Sequence, residues 1–193
     1  MTTPKILAFA GSARTESFNK KLVKIAADGA KATGAEVTVV DFRDLPMPLF
    51  DEDLEAANGL PDTVLQFKDL MKAHHGFLIA CPEYNGSITP LLKNAIDWAS
   101  RPNPTQDEAP LACFRDKTAV LMSTSPGALG GLRGLVHVRA ILGNIGVIVL
   151  PDQKAVPRAY EAFDASGNLT DEKTRIEVYN LGSKLATVTA KLI

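Results

Sequence analysis

Five short apolar runs alternate along the chain with segments whose apolar residues recur at helical spacing, and this alternation leaves few folds open. KILAFAG (5–11), AEVTVVDF (35–42), GFLIACP (76–82), KTAVLMST (117–124) and GVIVLP (146–151) read as strands. The third is a continuous apolar run closed by Pro82, as expected of a strand buried on both faces. Between the runs lie helical stripes. Leu22, Ile25, Ala26 and Gly29 share one face with Phe18. Val64, Phe67, Met71 and His74 form a second stripe, and Ile88, Leu91, Leu92, Ala95, Ile96 and Ala99 a third. Residues 129–143 are apolar around most of the helix circumference. Val178, Leu181, Leu185, Val188 and Leu192 mark a last amphipathic helix. Segments 45–61 and 102–110 are rich in Pro and acidic residues and read as loops.

Strand and helix alternating in this way predict a parallel sheet with helices on both faces. Five strands in 193 residues fit an α/β, flavodoxin-like three-layer sandwich. The expected sheet order is 2-1-3-4-5, with one domain over residues 1–193. In such sheets ligands bind beyond the carboxyl ends of the strands, near the switch between strands 1 and 3.

Composition narrows the partners. The net charge of −1 argues against nucleic acid and anionic membranes. No leader pattern and no membrane-length apolar stretch is present, so a cytoplasmic protein without a membrane partner is expected. Cys81 and Cys113 show neither C-x-x-C nor zinc-ligand spacing, and Cys81 reads as a reduced, buried thiol. His74, His75 and His137 have no partner motif. The expectation is no metal site and no catalytic side chain.

The turns after strands 1, 3 and 4 would meet at the switch point, and each is unusual. GSARTESFNKKL (11–22) places Ser12, Arg14, Ser17 and Asn19 just ahead of a helix, with Gly11 at the bend. Hydroxyl, guanidinium and amide donors at a helix N-terminus suit a phosphate. The plainer alternative is that Ser17 caps the helix and Arg14 is a solvated charge. PEYNGS (82–87) offers Tyr84 as an aromatic edge, with the peptide groups of Glu83, Asn85 and Gly86 facing a planar ring. Here Asn85-Gly86 can also be only a turn and Ser87 only a cap. STSPGALGGLRG (123–134) supplies Ser123, Thr124 and Ser125 as small donors, with Gly127, Gly130 and Gly131 allowing close approach; it can equally be a flexible connection. FMN, with one phosphate and one flat ring system, fits all three turns. No second phosphate loop, neither G-x-x-x-x-G-K-[ST] nor G-x-G-x-x-G, exists for a dinucleotide.

GSARTESFNKKL, PEYNGSITPLLKNAIDW and STSPGALGGLRG resemble the NADPH-dependent FMN reductase family, in the same order and over nearly the whole chain. That family includes quinone, chromate and azoreductase-like enzymes. The resemblance implies that Ser12, Arg14, Ser17 and Asn19, with Phe18 beside them, hold the FMN phosphate. It implies that Pro82, Glu83, Tyr84, Asn85 and Gly86 border the isoalloxazine, with Ser123, Ser125 and Gly127 across from them. Some relatives carry Tyr or His where Gly86 stands, so the ring surface here is expected to be more open. The implied reaction takes hydride from NADPH or NADH to FMN and passes electrons to a quinone, flavin, azo dye or chromate. The other readings are an FMN electron carrier and a regulatory interaction module. A homodimer or homotetramer is implied, with the helices at 88–99 and 129–143 forming much of the interface. Trp98 is either core or part of that contact.

Overall fold

The computed structural model describes residues 2–193. In chain order the elements are β1 (Lys5–Ala10), α1 (Phe18–Ala32), β2 (Glu36–Val40), α2 (Glu52–Asn58), α3 (Asp62–Ala73), β3 (Gly76–Ala80), β4 (Glu83–Tyr84), β5 (Ser87–Ile88), α4 (Pro90–Ser100), β6 (Thr118–Thr124), α5 (Leu132–Asn144), β7 (Ile148–Val156), α6 (Ala159–Ala162) and α7 (Glu172–Thr189). The main sheet runs β2-β1-β3-β6-β7, all parallel. Counted along the chain, that is the expected order 2-1-3-4-5.

The most apolar runs take the middle of the sheet because a strand flanked on both sides and covered on both faces meets no water. Every residue of β3 and β6 is buried, as is all of β1 after Lys5. The edge strands β2 and β7 keep exposed positions. Alternate residues of the central strands feed two cores. Ile6, Ala8, Leu78 and Val120 pack against α1 and α7, while Leu7, Phe9, Phe77 and Leu121 pack toward α3, α4 and α5. Phe9, Phe42 and Phe67 meet edge to face, with centroids 5.2 to 5.7 Å apart. That geometry suits the aromatic quadrupole.

Several expectations need correction. The segment 45–61 is not all loop, because α2 lies within it. Asp51 caps that helix by accepting from the N–H groups of Asp53 and Leu54. None of its residues is buried, so it carries no apolar stripe to read. The last strand runs on to Val156, through Pro151, which an edge strand tolerates because its N–H can face away from the sheet. Helix α5 is polar on part of its surface, through Arg133, His137 and Arg139. Leu192 lies beyond the end of α7. Trp98 is wholly buried within its own chain, and its indole N–H donates to the Pro48 carbonyl at 2.8 Å. It is a core residue and not a subunit contact. Among the described residues no helix is long and apolar enough to cross a membrane.

Candidate functional site

The turns after β1, β3 and β6 meet at the carboxyl end of the sheet, and short polar links tie them together. Gly11 N–H donates to Ala80 O at 2.9 Å, and Gly11 O accepts from Thr89 Oγ1 at 2.7 Å. Thr89 also caps α4 by accepting from Leu92 N–H, with Pro90 in the first turn. A Cβ on Gly11 would stand 2.8 Å from Leu92 Cβ, so only glycine lets β1 turn this close to α4. The Ser123 hydroxyl donates to Cys81 O at 2.6 Å, and the Thr124 hydroxyl to Val156 O at 2.8 Å. Strand ends tied in this way hold their loops at fixed separations.

Between the loops lies a cleft with a volume of about 100 Å³. From the first turn come Ser12, Arg14, Ser17, Phe18 and Asn19; from the second Pro82, Glu83 and Tyr84; from the third Thr124, Ser125 and Pro126. Four expected residues do not line it. Ser123 is turned inward to Cys81. Asn85 and Gly86 form the tip of a hairpin, and Gly127 lies further along its loop, where its carbonyl accepts from Arg158 N–H. Thr124, expected as a small donor, lines the cleft, while Pro126 was legible only as a member of a Ser- and Gly-rich stretch. The aromatic support of the cleft was not legible at all. Phe18 stacks on Phe163 at 5.3 Å and meets Tyr160 edge-on at 5.4 Å. Both partners come from the segment around α6, far along the chain.

The first turn presents unspent donors. Ser17 occupies the N-cap of α1 with extended backbone, yet its hydroxyl makes no cap bond. The residue is only 4% exposed and faces the cleft. The simple capping alternative therefore fails for Ser17. Arg14 is exposed and makes no ion pair among the described residues, while its N–H donates to Ser12 Oγ at 3.3 Å. The free N–H groups of the first helical turn add a partial positive charge.

The second turn is a two-stranded hairpin, in which Glu83 pairs with Ile88 and Tyr84 with Ser87. Asn85 and Gly86 have φ of 52° and 80°, the left-handed backbone that a tight two-residue hairpin needs and that Asn-Gly supplies. Ser87 is not a cap, since that role falls to Thr89. Burial opposes ionisation of Glu83. The Gly134 N–H and the Arg133 guanidinium overcome it and hold its carboxyl below the usual range. Burial, helped by the nearby Glu83 charge, pushes the Cys81 thiol up to about 12, so it is inert at neutral pH. No group of His, Cys, Asp and Glu among the described residues is placed to hold a metal ion.

Similar proteins share this architecture. An NAD(P)H-dependent FMN reductase from Pseudomonas aeruginosa is 37% identical over 172 residues, covering 89% of this chain and 87% of that one. An NADPH:quinone oxidoreductase from Arabidopsis thaliana is 33% identical over 193 residues, covering 97% and 93%. The solved structure of FerB, a flavoenzyme NAD(P)H:(acceptor) oxidoreductase from Paracoccus denitrificans, superposes with a TM-score of 0.80 at 29% identity, covering 98% of each chain. An archaeal flavodoxin, 12% identical with a TM-score of 0.65 over 96% of this chain and 99% of its own, shares the fold alone. The sequence model for NADPH-dependent FMN reductases matches residues 4–161, a span that contains all three turns of the cleft, and the chain belongs to that family.

Proposed function

We propose that this protein, as a single FMN-binding domain, uses NADPH or NADH to reduce FMN held in the cleft and delivers the electrons to quinones or similar small acceptors. One observation carries the placement of FMN: the uncommitted donors of Ser17 and Arg14 stand across one cleft from the Pro82–Tyr84 backbone. The residues fit the cofactor. Ser12, Arg14, Ser17 and the first N–H groups of α1 suit a dianionic phosphate, with Phe18 packed beside them. Pro82, Glu83 and Tyr84 border one side of a flat ring and Ser125 the other. When bound, FMN supplies the two-electron chemistry, and the chain supplies binding, orientation and shelter. No side chain need act as an acid or a base.

Quinone acceptors are the substrates named for several relatives, including a 2-hydroxy-1,4-benzoquinone reductase from a Burkholderia species that is 32% identical. Tyr84 is half exposed and Gly86 adds no side chain, which leaves room for a flat acceptor above the ring. Leu132 and Val136 of α5, with Leu129 in the turn before it, are exposed, and in our reading a second copy covers them in a homodimer or homotetramer. A cytoplasmic setting accords with the two reduced cysteines. The test is steady-state oxidation of NADPH and of NADH by the FMN-loaded protein with a benzoquinone as acceptor. Quinone-dependent turnover supports the reading; oxidation no faster than with free FMN overturns it.

A further inference from the structure

Helix α5 grips the β4–β5 hairpin through three residues within about one turn, Arg133, Gly134 and His137. Arg133 Nε and Nη2 donate to Glu83 Oε1 at 3.0 and 2.8 Å. The Gly134 N–H donates to Glu83 Oε2 at 3.0 Å. One turn on, His137 Nδ1 lies 2.8 Å from Ser87 Oγ. Glu83 and Ser87 stand on the two strands of the hairpin, on either side of Tyr84, Asn85 and Gly86. Gly134 eases the approach: a Cβ there would stand a tight 3.3 Å from Ser87 O and in ordinary contact, 3.5 Å, with Glu83 Cβ.

The hairpin needs an outside anchor. Two residues per strand bury too little to hold a hairpin alone. The anchor is also asymmetric. The Glu83 side chain is 9% exposed, whereas Arg133 is 64% exposed. A water-facing guanidinium thus reaches inward to a nearly covered carboxylate. The Gly134 N–H fixes one oxygen of that carboxylate. The guanidinium sets two donors of its rigid fork on the other oxygen, so each oxygen is held from its own side and the carboxylate plane is fixed. With its plane fixed, the Glu83 side chain cannot serve as a pivot, and the hairpin cannot rock against α5.

We infer that Arg133 is a positioning residue for the flavin platform: through Glu83 it sets the height and tilt of the Pro82–Gly86 backbone against the 123–127 turn. Arg133 lies outside the cleft lining and acts without touching the cofactor. The inference rests on the reading of the cleft as the FMN site. It makes the geometry of the fork, and not the positive charge, the quantity that matters.

The test is an FMN titration of the apo protein by flavin fluorescence, with the visible spectrum of each complex. The variants are R133M, R133K and E83Q, with R14M and S17A as checks on the site itself. Circular dichroism confirms that each variant is folded. R133M is expected to raise the FMN Kd roughly tenfold, the scale on which a lost supporting residue weakens a preorganised site. Its flavin band should shift as the ring environment loosens. E83Q, which retains an acceptor for Gly134 but loses the charged fork, should behave similarly. R133K should recover little, since it restores charge without the fork. Wild-type Kd and spectrum in R133M, or full recovery in R133K, would overturn the inference. If R14M and S17A weaken binding and R133M does not, the positioning role alone fails. If all three leave binding unchanged, the placement of FMN in this cleft fails and the positioning role fails with it.

Discussion

The side-chain amide of Asn19 closes on the backbone of Thr124 from both ends: Nδ2 donates to the Thr124 carbonyl at 2.9 Å, and Oδ1 accepts from its N–H at 3.1 Å. Asn19 lies in the first turn of α1 and Thr124 at the end of β6. The pair therefore joins the first and third turns of the cleft at a buried point. A carboxamide carries its donor and its acceptor on separate atoms of one plane, so neither Leu nor Asp can make both bonds.

Asn19→Leu should strand both backbone groups of Thr124. A buried polar group without a partner costs about 1–3 kcal/mol, so urea unfolding of the apo protein should show a loss of about 2–4 kcal/mol. Asn19→Asp keeps the acceptor, loses the donor and should lose less. FMN affinity should fall in both variants, because the two turns drift apart.

Ser17 and Thr89 both stand at helix N-caps, and their replacement by Ala should separate a binding role from a folding role. Thr89 spends its hydroxyl on Gly11 O and Leu92 N–H, so Thr89→Ala should cost roughly 1–2 kcal/mol in thermal or urea unfolding. Ser17 makes no cap bond, so Ser17→Ala should change apo stability by less than about 0.5 kcal/mol and instead raise the FMN Kd.

Trp98→Ala should cost about 3–5 kcal/mol, as for other buried aromatic truncations. Trp98→Phe should cost less, through loss of the bond to Pro48 O. Neither should shift the sedimentation coefficient of the folded protein, because Trp98 is covered by its own chain. Val136→Lys, on the exposed face of α5, should favour the monomer under the proposed homo-oligomeric assembly.

Glu83 sets a pH dependence with a definite sign. Its folded carboxyl ionises below the ordinary range, so it contributes stability that is present above that range and lost as pH falls through the folded value. Stability of the wild type measured from neutral to acidic pH should therefore fall more steeply than that of E83Q. Parallel curves for the two proteins would remove Glu83 as a contributor.

The fold was legible because each central strand is almost wholly apolar and each major helix turns one apolar face inward. Patterns of that kind survive without knowledge of the contacts. Helix α2 escaped notice because it buries nothing, and the start of α6 is set by Arg158 at positive φ, which no periodicity announces. At the site, the residue types in the turns after β1 and β3 pointed to phosphate and ring chemistry. What could not be read was direction: Ser123 and Asn19 are polar residues in the right turns, yet the Ser123 hydroxyl turns inward to Cys81 O and the Asn19 amide is spent on the backbone of Thr124 across the cleft. The Phe18–Tyr160–Phe163 cluster and the Arg133–Glu83 fork join residues distant in sequence, and only the folded chain brings them together.

The central claim is that FMN sits in this cleft and accepts electrons there from a nicotinamide. Its most direct test is an anaerobic titration with NADPH of the FMN-loaded wild type and of the S17A and R14M variants, followed in the visible flavin band. The account predicts one FMN per wild-type chain, bleached stoichiometrically by NADPH, and flavin lost on gel filtration from the two variants. FMN held as tightly by S17A and R14M as by wild type, or a bound flavin that NADPH leaves unbleached, would contradict it.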